Sequence, residues 1–198
     1  MIIHNRDRYV FVAVPKTATT TIHNYFRQSI VVNDRDEWLQ KKYHYPLSSI
    51  LKENKYASKF FKFGFSRNPW DRMVSSWIDF STSEGHLKVW SQDLPKDFTS
   101  FEDFILNFPN THWSEELHFL PSYAYLEGAD FVGKYENLNE DFKEVLSNIN
   151  HAEIDILNLP KERKTDRKGY RSYYTNQKMI DAVADFFHDD IEQYGYEF

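Results

Sequence analysis

Tyr9-Val10-Phe11-Val12-Ala13-Val14-Pro15-Lys16-Thr17-Ala18-Thr19-Thr20-Thr21 is the stretch that decides how this chain folds. Its first six residues are mostly β-branched or aromatic and too few for a helix. They read as a buried strand, which Pro15 ends because it has no amide to donate. Lys16 and four threonines then lead into Ile22-His23-Asn24-Tyr25-Phe26, where the apolar spacing changes to that of a helix. Strand, loop, helix is a ready anion site. The first amides of the helix have no internal partners, and the lysine and the threonine hydroxyls stand beside them. The loop lacks the glycines of GxxxxGK[ST], and its lysine precedes the hydroxyl cluster, which disfavours a nucleoside triphosphatase. A plainer reading of the same residues is a turn whose threonines cap a helix and whose lysine is solvated.

Outward from this stretch, the pattern repeats. Phe60-Phe61-Lys62-Phe63-Gly64-Phe65 reads as a second strand, left through Ser66-Arg67-Asn68-Pro69-Trp70-Asp71. Asn68 suits a helix cap, Pro69 a first helical position, and Asp71 the first turn, where the dipole favours a carboxylate. Trp70, Met73, Val74, Trp77 and Ile78 then mark one apolar face, with Ser75 at its edge. Arg67 and Ser75 are about two turns apart, roughly 10 Å, a gap that a long arginine partly closes, so one phosphate can meet both. A third strand, Ala129 to Tyr135, precedes a helix from about Asn139 to Asn148 carrying Phe142, Val145, Leu146 and Ile149 on one side. Strands separated by helices predict an α/β fold with a mainly parallel central sheet flanked by helices, as one domain over 1–198. Ligands of such sheets sit at the carboxyl ends of the strands.

Between the first two strands, Lys42-Tyr43-His44-Tyr45-Pro46 leads to a short helix, with Pro46 in its first turn and Leu47, Ile50 and Leu51 on one face. His44 then falls in a loop. Such a histidine is more often a surface or capping residue than a base, unless an anion site lies nearby.

Pro15-Lys16-Thr17-Ala18-Thr19-Thr20-Thr21 resembles the 5′-phosphosulfate loop of sulfotransferases that use 3′-phosphoadenosine 5′-phosphosulfate (PAPS). Arg67-Asn68-Pro69-Trp70-Asp71-Arg72-Met73-Val74-Ser75-Ser76 is similar to the 3′-phosphate element of the same family, in which the arginine and the serine eight positions later hold that phosphate. Two motifs, in the family's order and each at the end of a strand, make the joint match far more specific than either alone. The resemblance implies the P-loop-like sulfotransferase fold, PAPS as donor, adenosine 3′,5′-bisphosphate (PAP) as product and no required metal. It implies a small-molecule or glycan acceptor, with a saccharide or glycoconjugate first. It assigns Lys16, Thr17, Ala18, Thr19, Thr20 and Thr21 to the 5′ end of the nucleotide, and Arg67 and Ser75 to the 3′-phosphate. His44 matches the family's base, with Lys42 two residues ahead as in some members, and Lys16 stabilises the charge that develops on the leaving group. Arg167-Lys168-Gly169 is similar to the Arg-Lys-Gly that closes the PAPS site in cytosolic members, although the rest of that motif is missing.

The remaining features set limits. The chain has 198 residues, 41% hydrophobic and 18% aromatic, enough for one substantial core. A formal charge of −6 argues against a nucleic-acid surface, which needs a broad basic face. No apolar run approaches the roughly 20 residues of a membrane span, and Met1 to Arg8 lacks the apolar middle of a signal peptide, so a cytoplasmic protein is expected. With no cysteines, disulfides, thiolate catalysis and Cys-ligated zinc are excluded. His112, Glu115, Glu116 and His118 have neither HxxxH nor HExxH spacing, so packing or acceptor lining is expected ahead of metal. Phe98, Phe101, Phe104, Ile105 and Phe108 predict a helix, and a last helix runs from about Asn176 to Tyr194. The run Lys161 to Arg171 holds six basic residues against two acidic ones, and reads either as a solvated loop or as a flap over the nucleotide. Two rival functions remain. A phosphotransferase needs Mg²⁺ carboxylates at a strand end, for which Asp71 and Asp130 are better explained as helix-start and strand-start residues. A non-catalytic PAP-binding protein would have no use for a base.

Overall fold

A computed structural model of the chain describes residues 1–29, 38–40, 44–81, 97–149 and 167–198. Lys42 and the basic residues 161–166 lie outside the described residues. The strands are β1 (Ile2–His4), β2 (Tyr9–Val12), β3 (Trp38–Gln40), β4 (Phe61–Ser66) and β5 (Phe131–Lys134). The helices are α1 (Thr19–Ser29), α2 (Leu47–Glu53), α3 (Pro69–Ser81), α4 (Phe101–Asn107), α5 (Ser122–Leu126), α6 (Leu138–Asn148), α7 (Gln177–Phe186) and α8 (His188–Tyr194). No helix among the described residues is long and apolar enough to cross a membrane. The chain divides into two compact units, one of Met1–Arg67 and Ser122–Lys164, the other of Asn68–Pro121 and Thr165–Phe198.

The first unit holds the sheet, in the order β3-β1-β2-β4-β5. β1 runs antiparallel to both β2 and β3, whereas β2 with β4 and β4 with β5 are parallel, so among the described residues every strand but β1 points the same way. The fold is therefore α/β with a mainly parallel sheet, as expected from the sequence. The three expected strands are β2, β4 and β5. β1 and β3 went unread because each has three residues, too few for any period to show, and β1 is held by folding back on β2 through Arg8 at φ 55°. All of β2 is buried, as a central strand covered on both faces should be. Tyr9, Phe11, Phe26, Phe63, Phe65 and Phe142 form its aromatic core, reached by the predicted face of α6. Gly64 lets α5 close on β4, since a Cβ there would stand 2.3 Å from Leu126 Cδ2 and 3.0 Å from the Val12 carbonyl. The chain leaves β2 for β3 on one side of the sheet and leaves β4 for β5 on the other. The carboxyl ends of β2 and β4 therefore flank a topological switch point, the usual ligand position in such sheets.

The second unit is helical and built on rings. Trp70, Met73 and Val74 of α3, Phe104 and Ile105 of α4 and Met179 and Val183 of α7 share one core with Phe108, Trp113, Phe119 and Phe187. Trp70 Nε1 donates to the Ile180 carbonyl at 3.0 Å, and the Tyr174 hydroxyl to the Trp70 carbonyl at 3.0 Å. α3 begins as its sequence predicts, with Asn68 Oδ1 accepting from the Asp71 amide at 3.2 Å and Pro69 first. Its buried surface is wider than the apolar stripe, because Arg72, Ser75 and Ser76 are buried too. Arg72 is tolerated there by donating from Nη2 to the His118 carbonyl at 3.3 Å. The expected last helix is two, α7 and α8, parted at Phe187 (φ −105°, ψ 28°). That bend buries Phe187 and packs Ile191 and Tyr194 on the same core.

Candidate functional site

The stretch beyond β2 is shaped by its own hydroxyls. Thr17 Oγ1 and Thr19 Oγ1 both donate to the Val14 carbonyl, at 2.9 and 2.7 Å, which occupies both of its lone pairs and curls the loop over the strand end. Lys16 (φ 66°) and Ala18 (φ 65°) are left-handed, a conformation that costs a non-glycine residue about 1–3 kcal/mol and persists only where surrounding contacts impose it. The Ile22 amide donates to the Ala18 carbonyl at 3.1 Å, so the amides of Thr19, Thr20 and Thr21 precede the helical ladder of α1. Thr17 and Thr19 thus build the loop with their hydroxyls.

His44 stands beside this loop. Its Nδ1 lies 2.6 Å from the carbonyl of Ala13, the residue that follows β2. A carbonyl only accepts, so Nδ1 carries the proton, and in the neutral ring Nε2 holds the lone pair. That is the tautomer a general base needs. A second histidine, His23 in α1, is 9% exposed and set edge-on to Phe11. Burial above all, helped by the amino group at Met1, His44 and Arg27, pulls its pKa from 6.5 down to about 3. His23 is therefore neutral near pH 7 and adds no positive charge beside His44.

Arg67 reaches the same loop from β4. It is 6% exposed, its Nη1 donates to the Lys16 carbonyl at 2.8 Å, and its Cζ lies 4.0 Å from the centre of the Tyr135 ring. Strand register explains the ring. Ser66 pairs with Lys134 across β4 and β5, so the next residue along each strand brings Arg67 against Tyr135. The structure thus brings Lys16, Thr17 to Thr21, His44 and Arg67 together in the first unit. Sequence reading missed Tyr135, although counting one residue past the predicted third strand, as for Arg67 past the second, would have singled it out.

Ser75, Arg167, Lys168 and Gly169 belong to the second unit. Ser75 is 8% exposed in α3. Arg167 forms an ion pair with Asp71, both side chains mostly buried, while Lys168 and Gly169 are exposed. Within this unit the guanidinium of Arg167 ties its segment to the first turn of α3. Asp130, in the first unit, accepts from the Lys62 amide at 2.8 Å and pairs with its ammonium at 2.6 Å. His112 lies against Trp113, and His118 stands edge-on to Phe80, both as packing.

Comparison with known proteins follows the same lines. The sequence profile described as the sulfotransferase family matches residues 1–197. A protein of Archaeoglobus fulgidus described as uncharacterized is 30% identical over 95 residues, which span 48% of this chain and 72% of that protein. No solved structure matches the chain.

Proposed function

The chain belongs to the sulfotransferase family, and from that premise we propose that it moves the sulfuryl group of PAPS to a hydroxyl or amine of an acceptor, with a saccharide or glycoconjugate as the acceptor class. The observation that carries the reading is the hydrogen bond from Arg67 to the Lys16 carbonyl. It joins the two phosphate motifs at the tips of adjacent parallel strands, within reach of one small nucleotide carrying two phosphates.

The residues fit that nucleotide. The N-terminal amides of an 11-residue helix, a lysine and a buried arginine are the donor set that a doubly anionic ligand requires. PAPS supplies the sulfuryl group and the phosphate that leaves it. Lys16, the amides of Thr17 to Thr21 and the Thr20 and Thr21 hydroxyls hold the 5′ end and take up the growing charge. Arg67 takes the 3′-phosphate, and the family resemblance alone assigns Ser75 to it and Arg167, Lys168 and Gly169 to its cover. His44 Nε2 accepts the acceptor's proton as the new O–S or N–S bond forms, and Lys42 assists. Among the described residues, Phe80, Phe98, Phe104, Phe108, Trp113 and Phe119 are spent on the core and add no support for a sugar.

Asp71 and Asp130 are already engaged by Arg167 and Lys62, which weighs against a Mg²⁺-dependent phosphotransferase. The deciding experiment is thermal shift followed by turnover. PAP without Mg²⁺ should raise the melting temperature and ATP with Mg²⁺ should not, and radiolabelled PAPS should then label a saccharide or glycolipid in an acceptor panel. Stabilisation by ATP with Mg²⁺ alone refutes the reading. PAP binding with no transfer to any acceptor leaves a nucleotide-binding protein.

A further inference from the structure

Arg67 is placed for more than a phosphate contact. The bond it makes falls on the carbonyl of Lys16, one of the two left-handed residues of the loop. In a planar trans peptide the carbonyl of one residue and the amide of the next point in opposite directions. Holding the Lys16 carbonyl therefore fixes the direction of the Thr17 N–H, an amide the proposed function assigns to the 5′ end. A guanidinium offers five donors, so bracing one carbonyl and contacting an anion are compatible.

The guanidinium is itself held. Tyr135, half-buried at the end of β5, lies face-on beneath it, because the β4–β5 register sets the two positions side by side. One line of contacts thus crosses three adjacent parallel strand tips, from Tyr135 through Arg67 to Lys16.

We propose that Tyr135 and Arg67 form a brace that presets the Lys16 loop before any nucleotide binds. Arg67 is then a positioning residue for the 5′ end as well as the expected ligand of the 3′-phosphate, and Tyr135 is a positioning residue acting through it. The inference rests on the proposed function for its ligand, but the brace belongs to the free protein. A strained loop held in shape beforehand binds without paying to order itself.

The test has a ligand-free arm and a ligand arm on the full chain. In the first, amide hydrogen exchange is followed in the wild type, Arg67→Ala, Tyr135→Leu and Tyr135→Phe. Arg67→Ala and Tyr135→Leu should speed exchange at residues 16–21 by about 5- to 30-fold, the loss expected for a partly buried cation–π contact or charged hydrogen bond, while β2 and β4 keep their protection. Tyr135→Phe keeps the ring and should match the wild type. In the second arm, calorimetry compares PAP with adenosine 5′-phosphosulfate, which has no 3′-phosphate. Arg67→Ala should weaken adenosine 5′-phosphosulfate by about 5- to 30-fold, an effect that loss of a 3′-phosphate contact cannot produce.

Unchanged loop exchange in Arg67→Ala and Tyr135→Leu, or exchange that rises equally across β2 and β4, overturns the brace. So does an unchanged affinity for adenosine 5′-phosphosulfate in Arg67→Ala beside a lowered one for PAP. A wild-type protein that binds neither nucleotide refutes the sulfuryl-transfer reading instead, and the exchange arm tells the two failures apart.

Discussion

Lowering the pH from 7 to 5 should destabilise this protein through one residue of α1. His23 is buried and uncharged in the fold, with a pKa of about 3 against 6.5 for an exposed histidine. As pH falls through 6.5 the unfolded chain binds a proton at this position, and the folded chain does so only near pH 3. Stability is therefore lost across that window, at a slope approaching about 1.4 kcal/mol per pH unit. Integrated from pH 7 to pH 5, His23 alone costs about 2 kcal/mol, a large part of the 5–15 kcal/mol typical of a folded domain. The assay is urea unfolding followed by tryptophan fluorescence at both pH values, on the wild type and His23→Phe. Other groups titrate in both proteins, so the quantity of interest is the difference. The wild type should lose about 2 kcal/mol more than the variant over the interval. Equal losses in the two proteins would refute the assignment of a buried, neutral His23.

The remaining predictions concern the candidate site and its supports. His44→Ala should lower turnover by about 10² to 10⁴ while leaving PAP affinity nearly unchanged, and turnover near the wild-type value removes His44 as the base. Gly133→Ala should destabilise the protein by about 1–3 kcal/mol in thermal melts. The added Cβ would stand 2.4 Å from Phe65 Cε1 and 3.0 Å from Asp141 Cβ, so β4 or α6 must shift, and an unchanged melting temperature contradicts that packing. Asp71→Asn removes the ion pair with Arg167 and should cost about 1–3 kcal/mol in urea unfolding. An unaltered midpoint would show that the pair adds nothing net.

Much of this architecture was legible because it rests on local rules. The strand from Tyr9, the cap and first turn of α3 and the apolar face of α6 follow from propensity, capping and period, which act within a few residues, although β2 already ends at Val12, ahead of the expected stop at Pro15. The α/β class followed from alternation, and the two segments that resemble the family's phosphate elements were visible as order and spacing. β1 and β3 were not legible, since three residues show no period and only pairing with a neighbouring strand holds them. The break at Phe187 was hidden as well, because the helical spacing of apolar residues runs through it and only the shape of the aromatic core decides where the chain turns.

By itself, then, the sequence determined which residues carry charge, roughly where β2, β4, β5 and the helices after them begin, and that a polar loop follows each of the first two of those strands. What it could not determine is how those loops meet. Adjacency of β2 and β4, the register that lays Tyr135 under Arg67, the guanidinium on the Lys16 carbonyl and the tautomer of His44 set by Ala13 all join residues 31 to 68 positions apart in the chain. Such contacts depend on strand order and register. They are fixed only when the whole sheet buries its faces at once, a collective condition that no local pattern encodes.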